Sequence, residues 1–435
     1  MADTGRRVAR RRRLRPLAVT GAIWPFLVAA PALAQDFEET LMRVCEDSAT
    51  GQQLGDRCNR TIASGGGPGD ISADSNSSLD GGQLLSLTDA TLSRAHGRQR
   101  LAESRMQELR DEEDDTPGRG SSSGLSLIDG DRWSVLLNGR AQLFRQEAAG
   151  FERQLEGETF SFQLGTDVRL ADDIVVGGLF SYDRTDSEFG PDAPGSSAAP
   201  FDPPDNDGNL DTNAYSWTLF GSFSPTPSSW IDLSVGGGFE QHRFRRNGLF
   251  QIDDRFDDDP IFPVAAVGEP DGWHVSVAAG AGYDYESGAL RIGPYTRVSF
   301  VHTEIDSYTE KDESGSGLIL DVDSVRRDSL VTLAGLRASY AISTKQGVVL
   351  PSFRFEFARE WERDPQDLRA ALAQAPGSDP FENTGEDPDR NYQNLGIGLL
   401  WVLPNGWMPF VDFQTVLNRA DWGSETITAG LRLEL

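Results

Sequence analysis

From Trp133 to the C-terminus the chain keeps one rhythm, apolar alternating with polar. One parity collects Phe160, Phe162 and Leu164, then Tyr215, Trp217 and Leu219, then Ile231, Leu233 and Val235. It ends on Ile427, Ala429, Leu431, Leu433 and Leu435. The other parity carries Arg140, Arg291, Arg297, Arg337, Arg354, Glu356, Arg432 and Glu434, with glycines filling much of the rest. Side chains alternate across a strand, so each such segment predicts a strand with one apolar and one polar face. Twelve segments of ten to sixteen residues follow the rule. The predicted class is all-β.

A soluble sandwich would alternate in the same way, and two features separate it from a barrel. The gaps between segments alternate in length. Those at 147–156, 188–210, 247–271, 310–320 and 364–389 are long, and those near 171–172, 225–228, 287–288, 344–346 and 404–405 are short. Only the last, 420–423, is short where the pattern wants length. Long loops on one rim and tight turns on the other mark an outer-membrane barrel. The second feature is aromatic: Trp133, Trp217, Trp273, Tyr283, Tyr285, Tyr340, Trp361, Trp401 and Trp407 stand near strand ends on the apolar face, as interfacial girdles do. The expectation is a twelve-stranded antiparallel up-and-down transmembrane β-barrel over 133–435, with lipid outside and a polar lumen lined by the arginines and carboxylates above. With Leu435 at the periplasmic rim, the short turns fall in the periplasm and the long loops outside. Closure pairs the last strand with the first, near Trp133 to Gln146, because hydrocarbon tolerates no open edge.

The first 132 residues read differently. Residues 1–34 have an arginine-rich start, an apolar run from Leu17 to Ala30 and an Ala32-Leu33-Ala34 site, the layout of a signal peptide, with an uncleaved anchor as the alternative. Removing their seven arginines and one aspartate takes the net charge from −28 to −28 − 6 = −34, which excludes nucleic-acid binding through the net field. Residues 35–82 read as a short exported segment running into a flexible, disordered linker. Cys45 and Cys58 lie within it, and export favours a disulfide between them over two free thiols. Residues 83–110 have no proline and only one glycine, and predict a helix with a weak apolar stripe and four arginines between its apolar positions. Residues 111–132 predict a linker.

A signal peptide, a short exported segment, a polar helix and a C-terminal twelve-stranded barrel together resemble the autotransporter (type V secretion) family. The resemblance implies that the helix at 83–110 threads the pore. It also implies that Thr428, Gly430, Leu433 and Leu435 form an insertion signal read by the outer-membrane barrel assembly machinery, although this chain ends in leucine where an aromatic is usual. A further departure is the short region before the barrel, with no repeat of the kind a long passenger carries. The implied location is the cell outer membrane, with lipid and lipopolysaccharide as neighbours.

No catalytic motif stands out: there is no H-E-x-x-H or P-loop. His302 sits on the lipid-facing parity, where a barrel lipase would place a histidine, but no serine stands in a partner motif around it. His242 and His274 share lumen parity and read as a hydrogen-bonding pair. The acidic, proline- and glycine-rich loops read as solvated and disordered, without the spacing of an ordered calcium loop. No cofactor or metal is predicted, and the chain is expected not to be an enzyme. A porin-like channel with an N-terminal plug, and an adhesin acting through its acidic loops, are the alternatives to a translocator.

Overall fold

The alternating segments close into a single sheet. A computed structural model describes residues 37–46, 53–55, 71–73, 81–111, 125–130, 133–147, 154–190, 208–252, 261–362, 367–385, 389–403, 407–419 and 422–433. Twelve barrel strands run in chain order: β1 (Trp133–Gln146), β2 (Leu155–Ala171), β3 (Ile174–Phe189), β4 (Gly208–Thr226), β5 (Ser229–Ile252) and β6 (Asp271–Tyr283). They continue with β7 (Leu290–Ile305), β8 (Val325–Tyr340), β9 (Gly347–Glu360), β10 (Asn391–Val402), β11 (Trp407–Leu417) and β12 (Trp422–Leu433). Each pairs antiparallel with the next, and β12 returns to β1 from Trp422↔Gln146 to Thr428↔Arg140. Closure satisfies the backbone groups within the sheet, as a hydrocarbon surround demands.

The two faces separate as the alternation requires. On β12, Ile427 is 53% exposed and its neighbour Thr428 is 5% exposed. Phe160, Trp217, Leu219, Phe239, Val277, Phe355, Ile397 and Val411 join Ile427 on the outward belt. A continuous apolar surface of this extent is an aggregation hazard in water and a normal surface against acyl chains. Some lumen-facing glycines have a packing reason. A Cβ on Gly282 would fall 2.3 Å from the Trp230 ring, and one on Gly430 would fall 2.3 Å from Phe410. The aromatic rings lie over the bare backbone of the adjacent strand.

Three expectations need correction. The stretch 111–132 is not all linker: Leu125–Gly130 forms a strand paired with β1 at Trp133–Leu137. That pairing occupies the periplasmic part of the β1 edge, so the β12 seam covers only Arg140–Gln146 rather than the whole of β1. The segment before the barrel is not wholly disordered either: Phe37–Glu46 is a helix, α1. Its Phe37, Leu41 and Val44 are buried, because these apolar positions fall on one helical face. The signal-peptide reading falls on residues outside those described.

The loops, expected to be disordered, are partly folded. Ile261–Gly268 returns along the outer end of β5 as a hairpin, and Ile71–Ala73 pairs with the same strand at Phe250–Ile252. Tyr308–Thr309, Leu320–Val322, Asp367–Leu372 and Phe381–Thr384 form a separate antiparallel sheet in that spatial order. Its apolar side joins α1, Leu54 and the strand ends in one buried cluster that includes Phe37, Leu41, Leu320, Leu368, Phe381, Phe244 and Trp422. Phe37 meets Phe381 edge-on at 5.4 Å. The acidic runs within 191–207 and 253–260 lie outside the described residues. The apolar residues between such runs supply the core of this dome, and proline and glycine content alone does not reveal them.

Candidate functional site: the helix-filled lumen

A second helix, α2 (Leu85–Asp111), occupies the lumen. Its first turns, Leu85, Leu87 and Ala90, belong to the apolar cluster of the dome. Farther along, Ala102 and Met106 pack on Val175, Leu179 and Phe220, near the short turn between β2 and β3. The chain therefore enters the barrel at the long-loop rim and descends toward the short-turn rim.

Between those ends the contacts are charged. Arg94, Arg98 and Arg105 fall within about 40° of arc at 100° per residue, so they form one stripe. Arg94 donates to Glu240 of β5 at 2.6 Å and to the Thr91 hydroxyl at 2.8 Å. Thr91 itself donates to Glu240 at 2.8 Å. Arg98 pairs with Asp183 of β3 at 2.5 Å and with Glu240 at 3.5 Å. Arg105 reaches Asp167 of β2 at 2.8 Å. The opposite side of α2 reverses the sign. Asp89 lies 3.3 Å from Arg327 of β8, and Glu103 pairs with Arg297 of β7. His96 meets Ser329 at 3.0 Å and Ser299 at 3.3 Å. The lumen wall thus has an acidic side on β2, β3 and β5 and a basic side on β7 and β8, and α2 carries the complement of each.

All of the arginine pairs on the acidic side have side chains 5% exposed or less. Charge-assisted hydrogen bonds in such surroundings are short and directional, and their net contribution beyond water is small, while loss of one partner is costly. Their effect is to fix the height and rotation of the helix.

The residues expected to line the lumen fall into three groups. Arg297 engages α2 directly, and Arg140 lies so close to it that a Cβ on Gly97 would fall 2.4 Å from the Arg140 guanidinium. Arg291, Arg337, Arg354 and Glu356 pair within the wall instead. Arg337 reaches Asp284 at 2.5 Å and lies 5.0 Å over the Trp230 ring, and Arg291 reaches Asp284 at 3.4 Å. Glu356 accepts from Asn394 at 2.9 Å and from the Tyr295 hydroxyl, with Arg354 at 3.8 Å. The backbone of Arg432 pairs with Met408, while Glu434 lies outside the described residues. Of the terminal signal, Thr428 faces inward, Gly430 lies under Phe410, Leu433 pairs with Trp407, and Leu435 is outside the described residues. Cys45 is disulfide-bonded. Cys58, the residue expected to pair with it, lies outside the described residues.

The histidines also find places. His242 and His274 flank Glu240, at 3.6 Å and 3.3 Å, and His274 contacts Arg98 at 2.9 Å. His302 lies 2.5 Å from Asp328 and against the Trp273 ring. Sequence reading missed Arg94, Arg98 and Arg105, together with their partners Asp167 and Asp183. The signal was present in the spacing of four and then seven, which returns a residue to the same helical face.

Comparison with known proteins places this geometry. The family model described as Autotransporter beta-domain matches residues 135–414. Two curated relatives, each named Esterase EstA, from Pseudomonas aeruginosa and Pseudomonas putida, are 28% identical over 134 residues. The match covers 30% of this chain and 20% of the length of those relatives. Among solved structures, the translocator domain of autotransporter NalP from Neisseria meningitidis superposes with a TM-score of 0.50 at 13% identity. That match covers 79% of this chain and 96% of NalP's domain, and it concerns the fold alone.

Proposed function

The chain belongs to the autotransporter β-domain family, and from that premise we propose that this outer-membrane translocator delivers its own N-terminal segment, residues 35–84, to the outer face and keeps it there as a cap. The porin-like and adhesin alternatives are not favoured. The observation that carries the proposal is the apolar cluster at the long-loop rim, where α1, Leu54 and the first turn of α2 are buried among loop residues from four separate segments. A segment merely waiting in the periplasm would have no reason to share a core with the outer loops. After passage, α2 fills the lumen by charge pairing, and burial of α1 opposes its return.

In this reading the work is mechanical rather than catalytic. The esterase activity named for the two relatives is not carried over, since the match spans 20% of their length. The His302–Asp328 pair beside Trp273 reads as an interfacial contact. The outward belt meets outer-membrane lipid, the acidic loops face the lipopolysaccharide layer, and the terminal strand engages the barrel assembly machinery.

The test is thiol labelling in intact cells. After mild reduction with a membrane-impermeant reagent, Cys45 and Cys58 are expected to react with an impermeant maleimide. Labelling that appears only after the envelope is permeabilised refutes surface delivery.

A further inference from the structure

The helix does not fill the lumen evenly. Between α2 and the wall formed by β1 and β12 lies a cavity of about 50 Å³, bounded by Arg100, Arg140, Gln142, Ser93 and Ser424 among others. We propose that it holds a small inorganic anion of the size of chloride, bound between the Arg100 and Arg140 guanidiniums. This goes beyond the delivery of the N-terminal segment and does not depend on it.

Three observations converge. The first is charge. Arg140 donates to Gln142 at 2.9 Å and to Thr426 at 3.3 Å, both neutral, and no carboxylate is within ion-pair distance of it among the described residues. A second arginine faces the same space, and the Nε of Arg100 has no hydrogen-bond partner among the described residues. Two guanidiniums sharing a low-dielectric cavity repel, and a shared anion removes that cost. The second observation concerns hydroxyl protons. The Gln142 amide donates to the oxygens of both Ser93, at 3.3 Å, and Ser424, at 2.8 Å. Each serine is thereby used as an acceptor, which leaves its own proton to point elsewhere. The third concerns the carboxylates that also border the cavity. Asp89 is drawn to Arg327 at 3.3 Å, and Glu360 accepts the Ser329 hydroxyl at 2.7 Å. Donors therefore outnumber committed acceptors on the side where Arg140 stands.

The position is set by backbone as well as by charge. Ser93, Gly97 and Arg100 follow the i, i+4, i+7 spacing of one helical face. Gly97 leaves room for the Arg140 head group, since a Cβ there would fall 2.4 Å from its Nη1. The volume of about 50 Å³ suits a halide better than an organic acid such as gluconate.

The test uses the full folded chain in detergent. Melting is followed by mobility on a semi-native gel at constant ionic strength, exchanging sodium gluconate for sodium chloride or bromide. The folded form is expected to gain stability saturably with halide, and in R140Q the halide midpoint rises about tenfold or more, as expected when one charge-assisted contact is lost. R100Q serves as the second variant should R140Q not fold. Crystals soaked in bromide are expected to show an anomalous peak between the two guanidiniums. An unchanged melt in halide, a halide response undiminished in R140Q or R100Q, or the absence of that peak overturns the proposal.

Discussion

Replacing Glu240 with glutamine removes one negative charge from the most enclosed contact between α2 and the wall. Glu240 is 1% exposed and faces Arg94 at 2.6 Å and Arg98 at 3.5 Å. Arg98 keeps Asp183 at 2.5 Å, but Arg94 is left among hydroxyls, those of Thr91 at 2.8 Å and Thr185 at 3.4 Å. Breaking one side of a buried ion pair costs about 3–5 kcal/mol. The glutamine oxygen still accepts hydrogen bonds from Thr91 and Arg94, so the expected cost lies near the lower limit, about 3 kcal/mol. At about 1.4 kcal/mol per decade this is roughly a hundredfold rise in the population of the unlatched helix. The assay is amide hydrogen exchange of α2 in the folded barrel, where exchange through local opening should speed up by about that factor while the strands keep their protection. A double-mutant cycle isolates the pair: R94Q with E240Q should cost less than the two single changes summed. Wild-type exchange in E240Q, or simple additivity in the cycle, refutes the assignment of Arg94–Glu240 as a latch.

Three further outcomes follow from the same contacts. Phe381 is fully buried in the dome, and F381A is expected to cost about 3–5 kcal/mol there. Faster exchange in 37–46 and 308–322, with unchanged gel mobility of the barrel, is the expected readout. Asp312 accepts from the backbone N–H groups of Ser314, Gly315, Ser316 and Gly317 at 2.7–3.2 Å. Partial burial by itself would raise this carboxyl, but these bonds and the Ser314 hydroxyl outweigh it and hold it below the usual aspartate range. A depressed carboxylate stabilises above its unfolded pKa, about 3.9, and the stabilisation is lost as pH falls through the folded value. Exchange at Gly315 and Gly317 should therefore rise only below about pH 4, and D312N should show the loosened loop even at neutral pH. In G430A the new methyl meets the Phe410 ring, and a cost of about 1–3 kcal/mol should slow formation of the heat-modifiable barrel. Adding F410A in the same chain should relieve it.

Most of the barrel is legible from a two-residue period, because a wall with lipid on one side and water on the other imposes that period on every strand. Ile427 and Thr428, adjacent in sequence and opposite in exposure, show it in miniature. The dome is less legible. Its strands are two to six residues long, too short to establish a period, and they pair across long intervals, as Leu320–Val322 does with Asp367–Leu372. The lumen is legible in kind and not in partner. Inward parity marks Arg297 and Arg337 alike, yet the first meets Glu103 of the helix and the second Asp284 of the wall. Which of these occurs depends on the height at which α2 stands, and that is set by contacts at both ends of the barrel.

The division of labour between charge and apolar burial has a physical logic. A segment that crosses a wet pore must move between solvent and wall without becoming trapped. Buried ion pairs suit this, because desolvation nearly cancels their attraction and little net energy is at stake when the helix is correctly placed. They penalise misplacement, since even a shift of one turn, which brings Arg94 or Arg98 into the other's place, parts Arg105 from Asp167. Retention then has to come from elsewhere, and the dome supplies it. The lumen offers Phe37, Leu41 and Val44 only small apolar patches, such as Val175, Leu179 and Phe220, and an extended apolar core comes with the outer rim. Burial of several such side chains at about 1.5–3 kcal/mol each makes the last step the favourable one. The lumen thus sets register, the cap sets direction, and neither function requires a bound energy source.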